Sequence, residues 1–212
     1  MLFDLDGTLI DSAPDLAGAA NDLRAAHGLP PLPYDALRPM VGSGARGMVG
    51  VAFGVGPGHE RFEALRDDFL ARYEARLLRE TRVFPSVEPV LSALERAGLR
   101  WGIVTNKARR FAHPVVQGLG LQCDVLVCGD TTTHAKPHPA PLLEAARVLD
   151  LAPADCIYVG DDHRDMLAGR AAGMASLAAA WGYLGCGESI EAWGADAILP
   201  SPDTLLNWLD LA

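Results

Sequence analysis

Asp4 and Asp6 flank Leu5 where an apolar start, Leu2-Phe3, breaks off at Gly7-Thr8. Residues two apart on an extended chain point the same way, so both carboxylates are expected on one side of a strand end. Like charges that close repel and raise each other's proton affinity, so the fold gains nothing from the pair. Similar polar groups recur further on. Thr105-Asn106-Lys107 follows WGIV, Lys136-Pro137 lies in a later connection, and Asp161, Asp162 and Asp165 follow CIYVG. Converging carboxylates need a cation, and an all-oxygen donor set favours Mg²⁺. A carboxylate is also able to attack phosphorus and give an aspartyl phosphate. A phosphate dianion repels that attack unless a metal and a lysine offset its charge, which is the main work of a phosphoryl-transfer site. Thr105 and Asn106 offer hydrogen bonds to the remaining phosphate oxygens. Asp161 and Asp165, at i and i+4 across an expected helix start, share one face.

The elements that must position these groups follow from the apolar pattern. Short apolar strands are expected at 101–105, 125–129, 156–161 and 176–180, with an edge strand at 197–199. Between them lie helices at 87–98, 109–120, 139–150 and 164–173, and a last one at 201–211. Ser86 reads as the N-cap of the first and Gly98 as its stop, while Pro114 is expected to kink or interrupt the second. Alternation of this kind argues a parallel sheet covered on both faces. Ligands of such sheets bind beyond the carboxyl ends of the strands, where the polar groups stand. Only three residues precede Asp4, which makes the first strand short for a central one. Residues 13–80 break the rhythm with two amphipathic helices around a glycine-punctuated stretch, PMVGSGARGMVG, and no strand. The expected class is therefore α/β, a Rossmann-like parallel core (1–12 and 81–212) with a small all-helical insertion (13–80) after the first strand.

Composition narrows the partners. The 212 residues carry a formal net charge of −9, which disfavours nucleic acid. No apolar run reaches the roughly 20 residues of a membrane span, and no basic-then-apolar signal segment opens the chain, so the expectation is a cytoplasmic protein with no membrane partner. Cys123, Cys128, Cys156 and Cys186 lack CxxC spacing and read as small buried thiols. His134 and His138 are four apart, but Pro137 and Pro139 forbid a helical metal pair there, leaving exposed loop histidines.

DLDGT at 4–8, TN at 105–106, KP at 136–137 and GDDHRD at 160–165 form an ordered set. It closely resembles the four motifs of the haloacid dehalogenase superfamily over essentially the whole chain. The resemblance implies that Asp4 is the nucleophile and Asp6 the general acid and then base. Crowding between the two would help keep Asp6 protonated. It further implies that Thr105 and Asn106 bind phosphate and that Lys136 neutralises it. Mg²⁺ would be held by Asp4, the backbone carbonyl of Asp6 and Asp161, with Asp165 a direct or outer partner. Asp162 and His163 match variable positions and are read as solvated. The insertion resembles the superfamily's type-one cap, which closes over substrate.

VGSGARGM in the insertion is similar to the Gly-x-Gly cap loop of phosphoglycolate phosphatases, and Ile10-Asp11 fits their flap. Arg46 beside it is a candidate for an anionic substrate group, against a merely solvated arginine. GARGM, WGIVTNKARRFAHP and the WGY and WGAD segments are similar to N-acetylmuramic acid 6-phosphate phosphatases. These resemblances imply a Mg²⁺-dependent phosphomonoesterase acting on a small phosphorylated metabolite, 2-phosphoglycolate or N-acetylmuramic acid 6-phosphate first, as a monomer or homodimer. A sugar phosphomutase on the same scaffold is the nearest alternative. A receiver-like signalling module, or a silent phosphate-binding one, fits less well, because receivers place the phosphorylated aspartate mid-chain and none of Asp4, Asp6, Lys136 and Asp161 is missing.

Overall fold

The computed structural model describes residues 1–211. Six strands form one parallel sheet: β1 (Leu2–Phe3), β4 (Gly102–Val104), β5 (Val125–Val127), β6 (Ile157–Gly160), β7 (Ala175–Ala179) and β8 (Ala197–Leu199). Their order is β5-β4-β1-β6-β7-β8. The two-residue β1 is central, with Phe3 opposite Ile103 on one side and Val159 on the other. It stays in register one residue further, because the Asp4 N–H donates to the Val159 carbonyl at 2.8 Å.

Alternation across the strands divides the core into two layers. Phe3, Ile103 and Val159 pack with α5 (Val87–Arg96) and α6 (Arg109–Gly118), and with Leu205 of the short α9 (Thr204–Trp208). Leu2, Val104 and Tyr158 pack on the other face with α7 (Ala140–Val148) and α8 (His163–Ala172). Both faces are thus covered, which is why the strands read as continuous apolar runs.

A two-stranded ribbon stands beside the sheet, with β2 (Ile10–Asp11) antiparallel to β3 (Arg82–Val83). Between its strands lie α1 (Ala13–Ala26), α2 (Tyr34–Leu37), α3 (Gly44–Phe53) and α4 (Phe62–Glu74), with a 3₁₀ turn over Arg38–Ser43. The stretch read as a glycine loop is therefore mostly helical. Burial of Met48, Val49 and Ala52 on one side of α3 offsets the poor helix propensity of its glycines.

Other local expectations also needed tertiary context. Helix α6 runs without a break through Pro114, because Phe111, Ala112, Val115 and Val116 are all buried on its inner face. Ser86 occupies the N-cap position of α5, but its hydroxyl makes no capping bond. Asp162, expected to be solvated, caps α8 in a reciprocal box with Asp165. Cys128 and Cys156 are buried, whereas Cys186 is exposed. His134 and His138 are exposed. No helix among the described residues is long and apolar enough to cross a membrane.

Candidate active site

The carboxyl ends of β1, β4 and β6 open into a cavity of about 360 Å³. Asp4, Asp6, Thr105, Asn106, Lys136, Asp161 and Asp165 all line it. Arg46 does not: it is exposed, although Gly44 and Ala45 just before it reach the wall.

The helix register expected to align Asp161 with Asp165 is not what unites them. Asp161 precedes the Asp162 cap and belongs to the end of β6, while Asp165 sits in the first turn of α8. The strand-to-helix turn brings ligand oxygens of Asp4, Asp161 and Asp165 within 4.8 Å of one another. Burial, then the neighbouring Asp4 and Asp165, pushes the Asp161 pKa well above the usual carboxylate range. Asp161 is positioned by the Thr8 hydroxyl, which donates to Oδ1 at 3.0 Å, and by the Tyr183 N–H, which donates to Oδ2 at 2.8 Å.

Gly7 makes that approach possible. Its φ is +90°, and a Cβ there would collide with the Asp161 carboxylate. Gly7→Ala is therefore expected to lower stability by about 1–3 kcal/mol through backbone strain, with a further loss from displacing Asp161. Urea unfolding of parent and variant measures it, and equal midpoints and slopes would contradict it.

Lys136 is buried at the centre of the acidic group. Its Nζ lies 2.7 Å from Asp165 Oδ1 and 2.9 Å from Asp4 Oδ1. It also donates to the Val104 carbonyl at 3.0 Å and the Tyr158 hydroxyl at 2.6 Å. Burial opposes its charge, but Asp165 and Asp4 outweigh that and raise its pKa. That ion pair is the one polar contact of the buried Asp4 Oδ1 among the described residues. A desolvated carboxylate oxygen can take more than one donor or cation, and leaving that capacity unmet is costly. That spare acceptor capacity, among three converging carboxylates with no sulfur or nitrogen donor, fits a hard divalent cation such as Mg²⁺.

Asn106 is placed differently from a simple phosphate donor. Its Nδ2 donates to the Lys136 carbonyl at 3.0 Å, and its Oδ1 accepts the Lys136 N–H at 2.9 Å. The side chain thus holds the Lys136 connection. Thr105 is buried, and its Oγ1 accepts the Lys107 N–H at 3.1 Å.

Crowding against Asp4 is not the main contact of Asp6. Lys107 Nζ donates to both of its oxygens, at 2.9 and 3.1 Å, and the Ser12 hydroxyl donates to Oδ1. Burial opposes the Lys107 charge, but Asp6 and Tyr73 outweigh it and hold the pKa above the ordinary lysine value. Lys107, Tyr158, Ser12 and Tyr183 are the supporting residues that motif reading passed over. Lys107 alone carried a sequence signal, since it directly follows the Thr105-Asn106 strand end.

Comparison with known proteins agrees with this geometry. The chain is 44% identical, over 100% of its length and 95% of the relative's, to an N-acetylmuramic acid 6-phosphate phosphatase of Pseudomonas aeruginosa. It is 48% identical, over 97% of its length and 93% of the relative's, to a phosphoglycolate phosphatase of Xanthomonas campestris. Its fold superposes with a TM-score of 0.86, at 27% identity, on the crystal structure of a predicted phosphoglycolate phosphatase from Haemophilus somnus, covering 98% of this chain and 96% of that one. The family model for haloacid dehalogenase-like hydrolases matches residues 1–179, and with the acidic strand ends gathered as described, the chain belongs to that family.

Proposed function

We propose that this protein is a phosphomonoesterase that transfers the phosphoryl group to Asp4 and then to water. The observation that carries the reading is Asp4 itself, a carboxylate facing the cavity whose desolvated Oδ1 has the Lys136 ammonium as its one polar contact among the described residues. Asp4 attacks phosphorus, and Asp6 gives a proton to the leaving oxygen and then takes one from the attacking water. Lys136 offsets phosphate charge, with Asn106 fixing its backbone. Thr105 and the Asn106 backbone N–H are the phosphate donors. Asp4, the Asp6 carbonyl and Asp161 would hold Mg²⁺, with Asp165 behind them, and the ion would screen the phosphoryl oxygens from the attacking carboxylate.

Residues 13–80 act as the cap over a core of 1–12 and 81–212. Leu16, Val41, Phe69 and Leu70 of this segment form an apolar wall with Phe111 of the core. A two-carbon ester such as 2-phosphoglycolate leaves much of a 360 Å³ cavity unfilled. An amino-sugar phosphate uses both the volume and the apolar wall, so N-acetylmuramic acid 6-phosphate is the favoured substrate. The free cysteines suit a reducing, cytoplasmic setting.

Phosphate release from N-acetylmuramic acid 6-phosphate, 2-phosphoglycolate and a hexose phosphate tests the reading. Mg²⁺-dependent turnover with the first ester fastest is expected, and no release from any of them would refute it. Excess EDTA is expected to abolish turnover, and Mg²⁺ to restore it. Asp161→Ala is expected to raise the Mg²⁺ concentration for half-maximal rate by about ten-fold or more. Full activity in EDTA would remove the metal from the mechanism.

A further inference from the structure

Four cations line the cavity: Lys107, Arg110, Lys136 and Arg164. Three are committed. Lys107 is paired with Asp6, Lys136 with Asp4 and Asp165, and Arg164 with Asp162. Arg164 also donates to the Gly42 carbonyl in the 3₁₀ turn before α3. Arg110 makes no ion pair and no side-chain hydrogen bond among the described residues. It stands in the first turn of α6, exposed, with its guanidinium carbon 4.4 Å from the centroid of the Phe111 ring.

The surroundings of Arg110 point to a ligand group. Phe111 is part of the cavity wall, and Tyr73 of α4 packs 5.5 Å from it, centroid to centroid. Tyr73 also lines the cavity, its buried hydroxyl facing Lys107 and meeting no other polar group among the described residues. The wall around Phe111 thus carries an unpaired guanidinium beside two aromatic rings. A guanidinium presents a planar fork of donors that matches a carboxylate in two parallel hydrogen bonds.

We infer that Arg110 is a specificity-determining residue that binds a carboxylate of the substrate, at a point separate from the phosphoryl group. The inference rests on the phosphatase reading and extends it to the part of the substrate that is not transformed. It also moves the anion-recognition role away from Arg46, which the fold leaves outside the cavity. A carboxylate is recognised here because the phosphoryl group already has Lys136, Thr105 and the Asn106 N–H, whereas Arg110 has no charge to answer its own.

The test compares N-acetylmuramic acid 6-phosphate with N-acetylglucosamine 6-phosphate, which has a free hydroxyl in place of the carboxylate-bearing lactyl ether and is otherwise the same sugar phosphate. kcat/KM for each is measured with the parent, Arg110→Gln and Arg110→Lys. The preference for the carboxylate-bearing ester is expected to fall roughly ten- to a hundred-fold in Arg110→Gln. Most of that loss should lie in KM, and Arg110→Lys should recover part of it. Equal proportional losses on the two esters would overturn the inference, because Arg110 would then serve α6 or cap closure. An unchanged preference would overturn it as well. Absence of phosphate release from both esters by the parent is a different failure, visible before any variant is compared: it would overturn this inference, whereas the phosphatase reading falls only if 2-phosphoglycolate and the hexose phosphate release none either. Arg110 is exposed, so the variants are expected to unfold at the parent's temperature.

Discussion

Asp4→Asn is expected to lower kcat by at least about 10⁴-fold, the scale seen when an enzyme loses its nucleophile, while the fold stays intact. The amide keeps the shape of the side chain but has no anionic oxygen to attack phosphorus. Its effect on stability runs the other way. Burial, opposed by Lys136 and reinforced by Asp165 and Asp6, raises the Asp4 pKa to about 6 from 3.8. Without a bound cation the native state therefore holds more protons than the unfolded chain between those values. Stability contributed by this group is full below about pH 4 and is lost as the pH rises through about 6. The asparagine variant has no such group. Its unfolding temperature in EDTA at pH 7 is expected to equal or exceed the parent's, with a smaller difference at pH 5. Phosphate release near the parental rate would end the assignment of Asp4, whatever the unfolding data.

Asp6→Asn is expected to reduce turnover of alkyl phosphates by about 10²–10⁴-fold, the usual worth of general acid–base catalysis. Asparagine can still accept the Ser12 hydroxyl, but it carries no charge for Lys107 and has no proton to deliver. An aryl phosphate with a good leaving group separates the two halves of the reaction. Its phenolate leaves without a proton, so phosphorylation of Asp4 survives, and only hydrolysis of the aspartyl phosphate lacks its base. A stoichiometric burst of phenolate followed by a slow steady state is the expected trace in rapid mixing. Normal turnover of both ester types across the pH range would make Asp6 a bystander held by Lys107.

The same two residues show how far the sequence reaches. Asp4 and Asp6 stand out because a strand has a fixed period of two and because an apolar run visibly stops at Gly7. Both signals are local. Thr105 and Asp161 stand out in the same way, as polar groups at the ends of apolar runs, and strand ends in a parallel sheet gather at one edge; Lys136 and Asp165, in a connection and at a helix start, stand out through the ordered motifs. The α/β class followed from the same alternation, without knowledge of any contact.

What lay beyond the sequence depends on pairs of side chains far apart in the chain. Lys107 and Asp6 are separated by 101 positions, and no periodicity links them. That the Asn106 side-chain amide sets itself against the backbone of Lys136, 30 positions away, is visible only in the fold. Asp161 and Asp165 met through a strand-to-helix turn rather than along one helix face. Arg46 and Arg110 are both arginines close to a motif, and sequence spacing cannot rank them. The packing of α3 turns the first outward, while the packing of Phe111 into the cavity wall brings the second beside it. Strand and helix periodicity are written in the apolar pattern of each segment. Which cation ends up without a partner is decided only when every other charge in the cavity has been placed.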